Sequence, residues 1–214
     1  MTRDRAEMTT EQPGPAEGTA APEGEPEELP ARFQDLVVRY GWVVALVWLD
    51  LWSKAAVFAW LQEPGTELLR DAHGHQRRHV LGDSVEWFTF MLSENPGAAF
   101  GQFGEYPHAL IGLRVVAVLF LLVLIFRTAR GQLLHLGALV LVLAGAVGNL
   151  YDNLFLPAEG GHPYGKVRDF IDVYFSVWDW HFPTFNIADS CITVGAVLLL
   201  LGSFGGEGGS DEGA

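Results

Sequence analysis

Acids are expensive next to lipid, and this chain places several there. Asp50 and Lys54 lie in WLDLWSK, Asn149 and Asp152 in GNLYDN, Asp169 and Asp172 in VRDFIDVYF, and Asn186 and Asp189 in FNIADS. Each group is embedded in or borders strongly apolar sequence, where an ionisable side chain that is neither paired nor facing a polar cavity costs several kcal/mol. Two carboxylates in a partly dry site cannot both ionise easily, so one keeps a proton. Such a pair can activate a water as base and protonate a departing amine as acid, and needs no metal. Asp169 lies just before the last apolar run and Asp189 at its start. Both therefore reach the same membrane face and are candidates for such a pair.

The other polar groups admit plainer readings. Asp50 and Lys54 are four apart on one helical face and form either a functional interior or a self-neutralising structural pair. Asn149 and Asp152 end the third apolar run, as an interfacial cap or as part of a site. Asn186 and Asp189 fall in a first helical turn, where an N-terminal cap and a dipole-stabilised acid explain them equally well. In an extended segment Asp169 shares a face with Ile171 and Val173, whereas Asp172 shares the other with Arg168, Phe170 and Tyr174. The two acids need not serve one site, and alternation alone does not choose between them.

The elements that must position these groups are mainly membrane helices. Among 214 residues, 50% are apolar and seven are Trp. Apolar runs near the roughly 20 residues that span a bilayer predict four spans, at about 42–61, 109–126, 133–150 and 187–202. Ala144 and Gly148 give the third a small-residue spacing suited to close helix packing. The segment VEWFTFML reads as a strand, followed by an Asn-Pro-Gly turn, as part of a hairpin on the membrane surface. Beyond Asn95, the small residues Gly97 and Ala99 of GAAFG leave room for a peptide backbone to approach. An even number of spans puts both tails on one side. The raw count of Lys and Arg does not fix the orientation, but the short turn FRTAR favours a cytoplasmic placement.

The net charge of −13 is mostly terminal: residues 1–30 carry −6 and residues 203–214 carry −3. Residues 1–30, with five prolines and few large apolar side chains, are expected to be a disordered acidic tail. They lack the pattern of a cleavable signal peptide, so the first span is expected to act as an uncleaved anchor. Residues 31–204 form the four-span domain, and 205–214 a flexible acidic tail. No basic patch supports nucleic-acid binding, and the lone Cys191 excludes an internal disulfide framework.

Alternative chemistries fit less well. Ser190, Cys191 and His181 invite a nucleophile, as do Ser53 and Lys54, but successive helical residues point about 100° apart and do not converge on one atom. His73, His75 and His79 have no motif that frames a metal, so a solvated loop is expected and no metal or cofactor is assigned. Arg114 is expected near the outer end of the second span, snorkelling to headgroups.

Taken in order, DLWSK, ENPGAAFG, GNLYDN, VRDF and FPTFNIAD resemble the motifs of lipoprotein signal peptidase (signal peptidase II), over about residues 40–204. The resemblance implies an all-α membrane protein with a small β element: four transmembrane helices, an extracytoplasmic β-cradle and a short periplasmic helix. It implies a bacterial inner-membrane aspartyl protease with both termini cytoplasmic. Its substrates would be diacylglyceryl-modified prolipoproteins, cleaved before the lipidated cysteine, with membrane lipids as its surroundings and a monomer as the expected state. It places the catalytic pair on Asp169 and Asp189 and leaves Asp172 as a solvated or structural acid. Asp50, Lys54, Asn95, Gly97, Ala99, Asn149, Asp152, Asn186 and Ala188 fall on supporting positions. One departure stands out. The family usually has Arg directly after the Asp of GNL-x-D, where this chain has Asn153, and Arg168 beside Asp169 is the candidate to supply the missing charge. The rival readings are a small transporter or proton channel, disfavoured by acids gathered at one interface and by the lack of repeats, and an inactive precursor-binding relative, disfavoured by retention of both aspartates.

Overall fold

The computed structural model describes residues 33–65, 68–70, 75–82, 84–97, 105–129, 131–158, 161 and 163–204. Both expected tails and Ala99 lie outside these residues. Among the described residues, three helices are long and apolar enough to cross a membrane: α1 (Phe33–Leu61), α2 (Pro107–Arg127) and α3 (Leu133–Phe155). The expected fourth span is α4 (Ile187–Phe204), whose apolar stretch, Ile187–Ser203, is shorter. Lipid explains why helices dominate, since backbone groups there must bond within their own segment. α1 extends well beyond its expected start at 42, and α3 runs five residues past its expected end at 150; Arg39 in the first extension and Asp152 and Asn153 in the second are buried in the protein instead of ending the helix.

α3 is the central element and packs against α1, α2 and α4. Leu121 and Ile125 of α2 meet Leu139, Val140, Leu143 and Ala144 of α3, with Val43 of α1. Outward-facing Trp42, Trp48, Leu113, Phe120 and Leu200 are exposed, as lipid-facing side chains are. The closest approach involves Gly145 more than the expected Ala144. A Cβ on Gly145 would strike the Ala188 carbonyl oxygen, and one on Gly148 would lie 2.5 Å from Asp50 Oδ2. At the opposite end of the bundle, Arg39 donates to the Ile125 and Thr128 carbonyls, both at 2.7 Å, closing the end of α2.

Five antiparallel strands, β1 (Leu69–Arg70), β2 (Gln76–His79), β3 (Phe88–Asn95), β4 (Val167–Phe175) and β5 (Trp180–His181), form one sheet in sequence order. The expected strand is therefore β3, but it is not one arm of a small hairpin: it pairs with β2 and with β4, some 80 residues later in the chain. Phe90 faces Ile171 in register, whereas Ser93 faces Asp169, so β3 holds one extra residue between these pairs. This bulge turns Ser93 and Asn95 toward the β4 face that carries Asp169. No short helix appears among the described residues between α1 and α2, so the expected periplasmic helix is not seen there.

Two seams join sheet to bundle. Trp60 near the end of α1 meets Phe90, which meets Phe170, each pair edge to face, and Arg78 lies 4.1 Å over the Trp60 ring. At the other seam, the Phe185 carbonyl accepts from the amides of Phe170 and Ile171, and the Phe185 amide donates to the Ile171 carbonyl. This bridge fixes the start of α4 beside the middle of β4.

Candidate active site

The Phe185 bridge determines the site, because Asn186 and Asp189 follow it within one helical turn. Asp189 N donates to Asn186 Oδ1 at 2.9 Å, and Asn186 N donates to Asp189 Oδ2 at 3.2 Å. This is a reciprocal cap that satisfies amides otherwise left without partners at a helix start. A third amide, Ala188 N, donates to Asp50 Oδ1 at 2.9 Å. The capping and site readings of Asn186 and Asp189 are thus compatible: the cap aims the second oxygen of Asp189 outward from α4.

That oxygen, Oδ1, accepts from Asn149 Nδ2 of α3 at 2.8 Å. Asn186 Nδ2 donates at 2.7 Å to Asp169 Oδ1 and at 3.1 Å to Asn149 Oδ1. Two asparagines therefore connect Asp169 to Asp189 in one hydrogen-bonded chain. Asn95 of β3 bonds the Asp169 carboxylate as well, and its own Oδ1 accepts from Gly97 N at 2.9 Å, shaping the turn after the strand. Asp169 is only 2% exposed. Burial first, and the Asp189 charge second, push its pKa from the usual carboxylate range up to about 7.

Beneath this pair, Lys54 is fully buried. Its Nζ lies 2.8 Å from Asp50 Oδ2 and 3.4 Å from Asp152 Oδ2, and donates to Asn149 Oδ1 at 2.9 Å. The structural-pair reading of Asp50 and Lys54 is correct as far as it goes, but Lys54 also joins α1 to both polar residues of α3. Asp152 is held from the other side by Arg168, whose guanidinium reaches Asp152 Oδ1 at 2.7 Å and whose amide donates to Oδ2 at 3.0 Å. Arg168 is therefore committed to Asp152 and does not supply its charge to Asp169. Arg168 and Asp169 are adjacent in an extended strand and point to opposite faces.

The guanidinium near the two aspartates comes from a residue read differently in the sequence. Arg114 does not snorkel to headgroups. It lies on the α2 face that carries Ile111, Leu121 and Ile125, donates to Asn153 Oδ1 of α3, and donates to the Gly97 carbonyl at 3.0 Å. Because α2 is apolar on nearly every face, its sequence gives no sign of which side Arg114 takes. Asn153 in turn donates to the Gly165 carbonyl at 2.8 Å, fixing the approach to β4. Gly165 is required there, since a Cβ would lie 2.5 Å from the Asp152 carbonyl.

Asp172 belongs to a separate cluster. It is 1% exposed, not solvated, accepts from Thr89 Oγ1 at 2.6 Å, and lies against His181 Nδ1 at 2.9 Å and Arg77 Nη1 at 3.4 Å. It ties strands β2 to β5 together. The alternative nucleophiles are likewise engaged elsewhere: Ser190 Oγ donates to the Asn186 carbonyl and Ser53 Oγ to the Asp50 carbonyl, while His181 is held by Asp172. Cys191 is buried. His79 contacts the Val85 carbonyl, and His73 lies outside the described residues.

Three helices long enough to span a membrane and a shorter apolar one pack with a five-stranded sheet, and acids and asparagines converge at one end. The family model described as Signal peptidase (SPase) II matches residues 42–205. The chain belongs to the signal peptidase II family. It is 35% identical over 174 residues to the lipoprotein signal peptidase of Photorhabdus laumondii, covering 78% of this chain and 88% of that one. It is 43% identical over 133 residues to that of Burkholderia ambifaria strain MC40-6, covering 60% and 70%. A solved bacterial membrane enzyme shares the fold, with a TM-score of 0.64 at 21% identity over 88% of this chain and 98% of that one. Membership makes this chain a membrane peptidase. Asn153, where the resemblance leads one to expect Arg, accepts a hydrogen bond from Arg114.

Proposed function

We propose that this protein is an aspartyl endopeptidase of the bacterial inner membrane that removes signal peptides from diacylglyceryl-modified prolipoproteins, cutting before the lipidated cysteine. The observation that carries this reading is the asparagine-linked pair Asp169 and Asp189, with Asp169 buried and biased toward its protonated form. At rest the pair shares one proton, biased toward the buried Asp169, and Asp189 is its more exposed member. Substrate enters laterally from the bilayer with its acyl chains still in lipid. Asp189 takes a proton from water as the oxygen attacks the scissile carbonyl, and Asp169 donates its proton to the developing oxyanion. Collapse breaks the C–N bond. The protonated Asp189 then delivers its proton to the departing amine of the lipidated cysteine, and the carboxyl group of the signal peptide forms as Asp169 regains its proton.

The polar groups gather at one end of the bundle: Asp50 and Lys54 in the second half of α1, Asn149 and Asp152 at the end of α3, and Asp189 at the start of α4. This fits a protease acting at the extracytoplasmic face, with both termini cytoplasmic and the monomer as the working unit. A proton channel needs a polar path to the other end, where the described core is Val43, Leu121, Ile125, Leu139 and Leu143.

The test is cleavage of a purified diacylglyceryl prolipoprotein in detergent, followed by mass. Asp169→Asn and Asp189→Asn are each expected to abolish it. Cleavage that survives either substitution overturns the pair assignment, and equal cleavage of unlipidated precursor overturns the substrate assignment.

A further inference from the structure

Arg114 is a cation seven residues inside α2, roughly 10 Å from the helix start at 1.5 Å per residue. A guanidinium at such depth faces a protein interior or a polar cavity and marks function. Both of its hydrogen-bond acceptors among the described residues are neutral: the Asn153 side chain and the Gly97 carbonyl. Asp189 and Asp169 lie within its electrostatic reach. Its two bonds also have a mechanical consequence. Gly97 directly follows the Asn-Pro pair whose Asn95 bonds Asp169, and Asn153 sits beside Asp152 on α3. One planar fork therefore joins the turn after β3 to the end of α3, next to both aspartates.

We propose that Arg114 is a positioning residue for the proposed aspartate pair, holding the Asn95–Gly97 turn in place and supplying the charge that keeps one member of the pair ionised. This rests on the reading of Asp169 and Asp189 given above. Among the described residues, the other charged or titratable groups around the pair are Asp50 and Lys54 of α1, Asp152 of α3, Arg168 of β4 and the Cys191 thiol of α4. Lys54 bridges Asp50 and Asp152, and Arg168 binds Asp152. Among the described residues, Arg114 is the one of these cations with no acid as a hydrogen-bond partner; Lys54, although bridged, also acts on Asp169.

The experiment measures kcat and KM for a diacylglyceryl prolipoprotein in detergent from pH 5 to 9, with the wild-type protein, Arg114→Leu, Arg114→Lys and Asp169→Asn. Loss of a nearby cation disfavours ionisation of the pair, so the acid limb of kcat in Arg114→Leu is expected to move up by about one pH unit. Its KM is expected to rise several-fold as the turn loosens. Arg114→Lys keeps the charge but not the two-acceptor fork, so its acid limb should match wild type while KM stays raised. An unshifted limb in Arg114→Leu overturns the proposal. If Arg114→Leu does not fold, Arg114→Lys decides: wild-type KM or a displaced limb overturns it. Activity persisting in Asp169→Asn overturns the pair assignment and this inference together, whereas an inactive Asp169→Asn beside an unshifted Arg114→Leu overturns this inference alone.

Discussion

Replacing Asp169 with Asn is expected to stabilise the protein while destroying its activity. The Asp169 carboxyl ionises near pH 7 in the folded protein, against 3.8 for an ordinary aspartate. At about 1.4 kcal/mol per pH unit, ionised Asp169 disfavours the fold by up to about 4 kcal/mol. Between pH 4 and 7 the folded state binds more protons than the unfolded chain. Stability therefore falls as pH rises through this window, opposite to the behaviour of a salt-bridged acid. Asn reproduces the protonated carboxyl: its oxygen accepts from Asn186 Nδ2 and its amide has a donor available, with no charge to bury. In a chain of this size 1 kcal/mol shifts the midpoint by about 2–4 °C, so a gain of roughly 10 °C is expected at pH 8, less than half of that at pH 5, and almost none below about pH 4. The lone Cys191 is buried, and its labelling by a thiol-reactive dye during heating in detergent reports unfolding directly. A wild-type midpoint that does not fall between pH 5 and 8, or an Asp169→Asn variant less stable than wild type at pH 8, would refute the reasoning.

Three further outcomes follow from the contacts around the site. Lys54→Met leaves Asp50 and Asp152 facing each other without their shared cation and should lose about 3–5 kcal/mol; adding Asp50→Asn should recover part of it in the same thermal assay. Gly145→Ala must displace α4 at the Ala188 carbonyl, whereas Gly137→Ala meets nothing within 4 Å. The first should lower the midpoint and the cleavage rate together, and the second should change neither. Asp172→Asn breaks the cluster with Thr89, His181 and Arg77 and should cost about 1–3 kcal/mol while cleavage proceeds; an inactive but folded variant would assign Asp172 to the site after all.

Much of this site is legible in the sequence, because lipid makes polar residues conspicuous. Asp50, Lys54, Asn149, Asp152, Asn186 and Asp189 stood out against apolar runs, and the structure brings all six together with Asp169. Strand alternation separated Asp169 from Asp172 but gave no reason to prefer one. The choice came from resemblance, and the geometry now supplies a physical one, since the Phe185 bridge places Asn186 against Asp169 while Asp172 is occupied by Thr89 and His181. The partner of β3 was hidden because it lies beyond two spanning helices, and the bulge that turns Asn95 inward depends on that pairing. Arg168 was misassigned because closeness in sequence along a strand means opposite faces. Arg114 was misread because an arginine in an apolar helix has two outlets, headgroups and a polar interior. Only the tertiary position of Asn153 and Gly97 decides between them.

The charges of the assembled site explain why these misreadings belong together. Asp50, Asp152, Asp169 and Asp189 contribute four negative charges when ionised, while Lys54, Arg168 and Arg114 contribute three positive ones. A region with little water tolerates a net charge poorly, so the arrangement favours one bound proton. Lys54 and Arg168 are engaged by Asp50 and Asp152, which leaves the proton to the remaining pair, where Asp169 is the more deeply buried member. Had Arg168 faced Asp169, as its place in the sequence suggested, Asp152 would have lost a partner and Asp169 would have been held ionised. The opposite-face geometry of β4 prevents that. It assigns Arg168 to the structural acid and leaves Asp169 able to carry the proton that an acid–base pair must exchange.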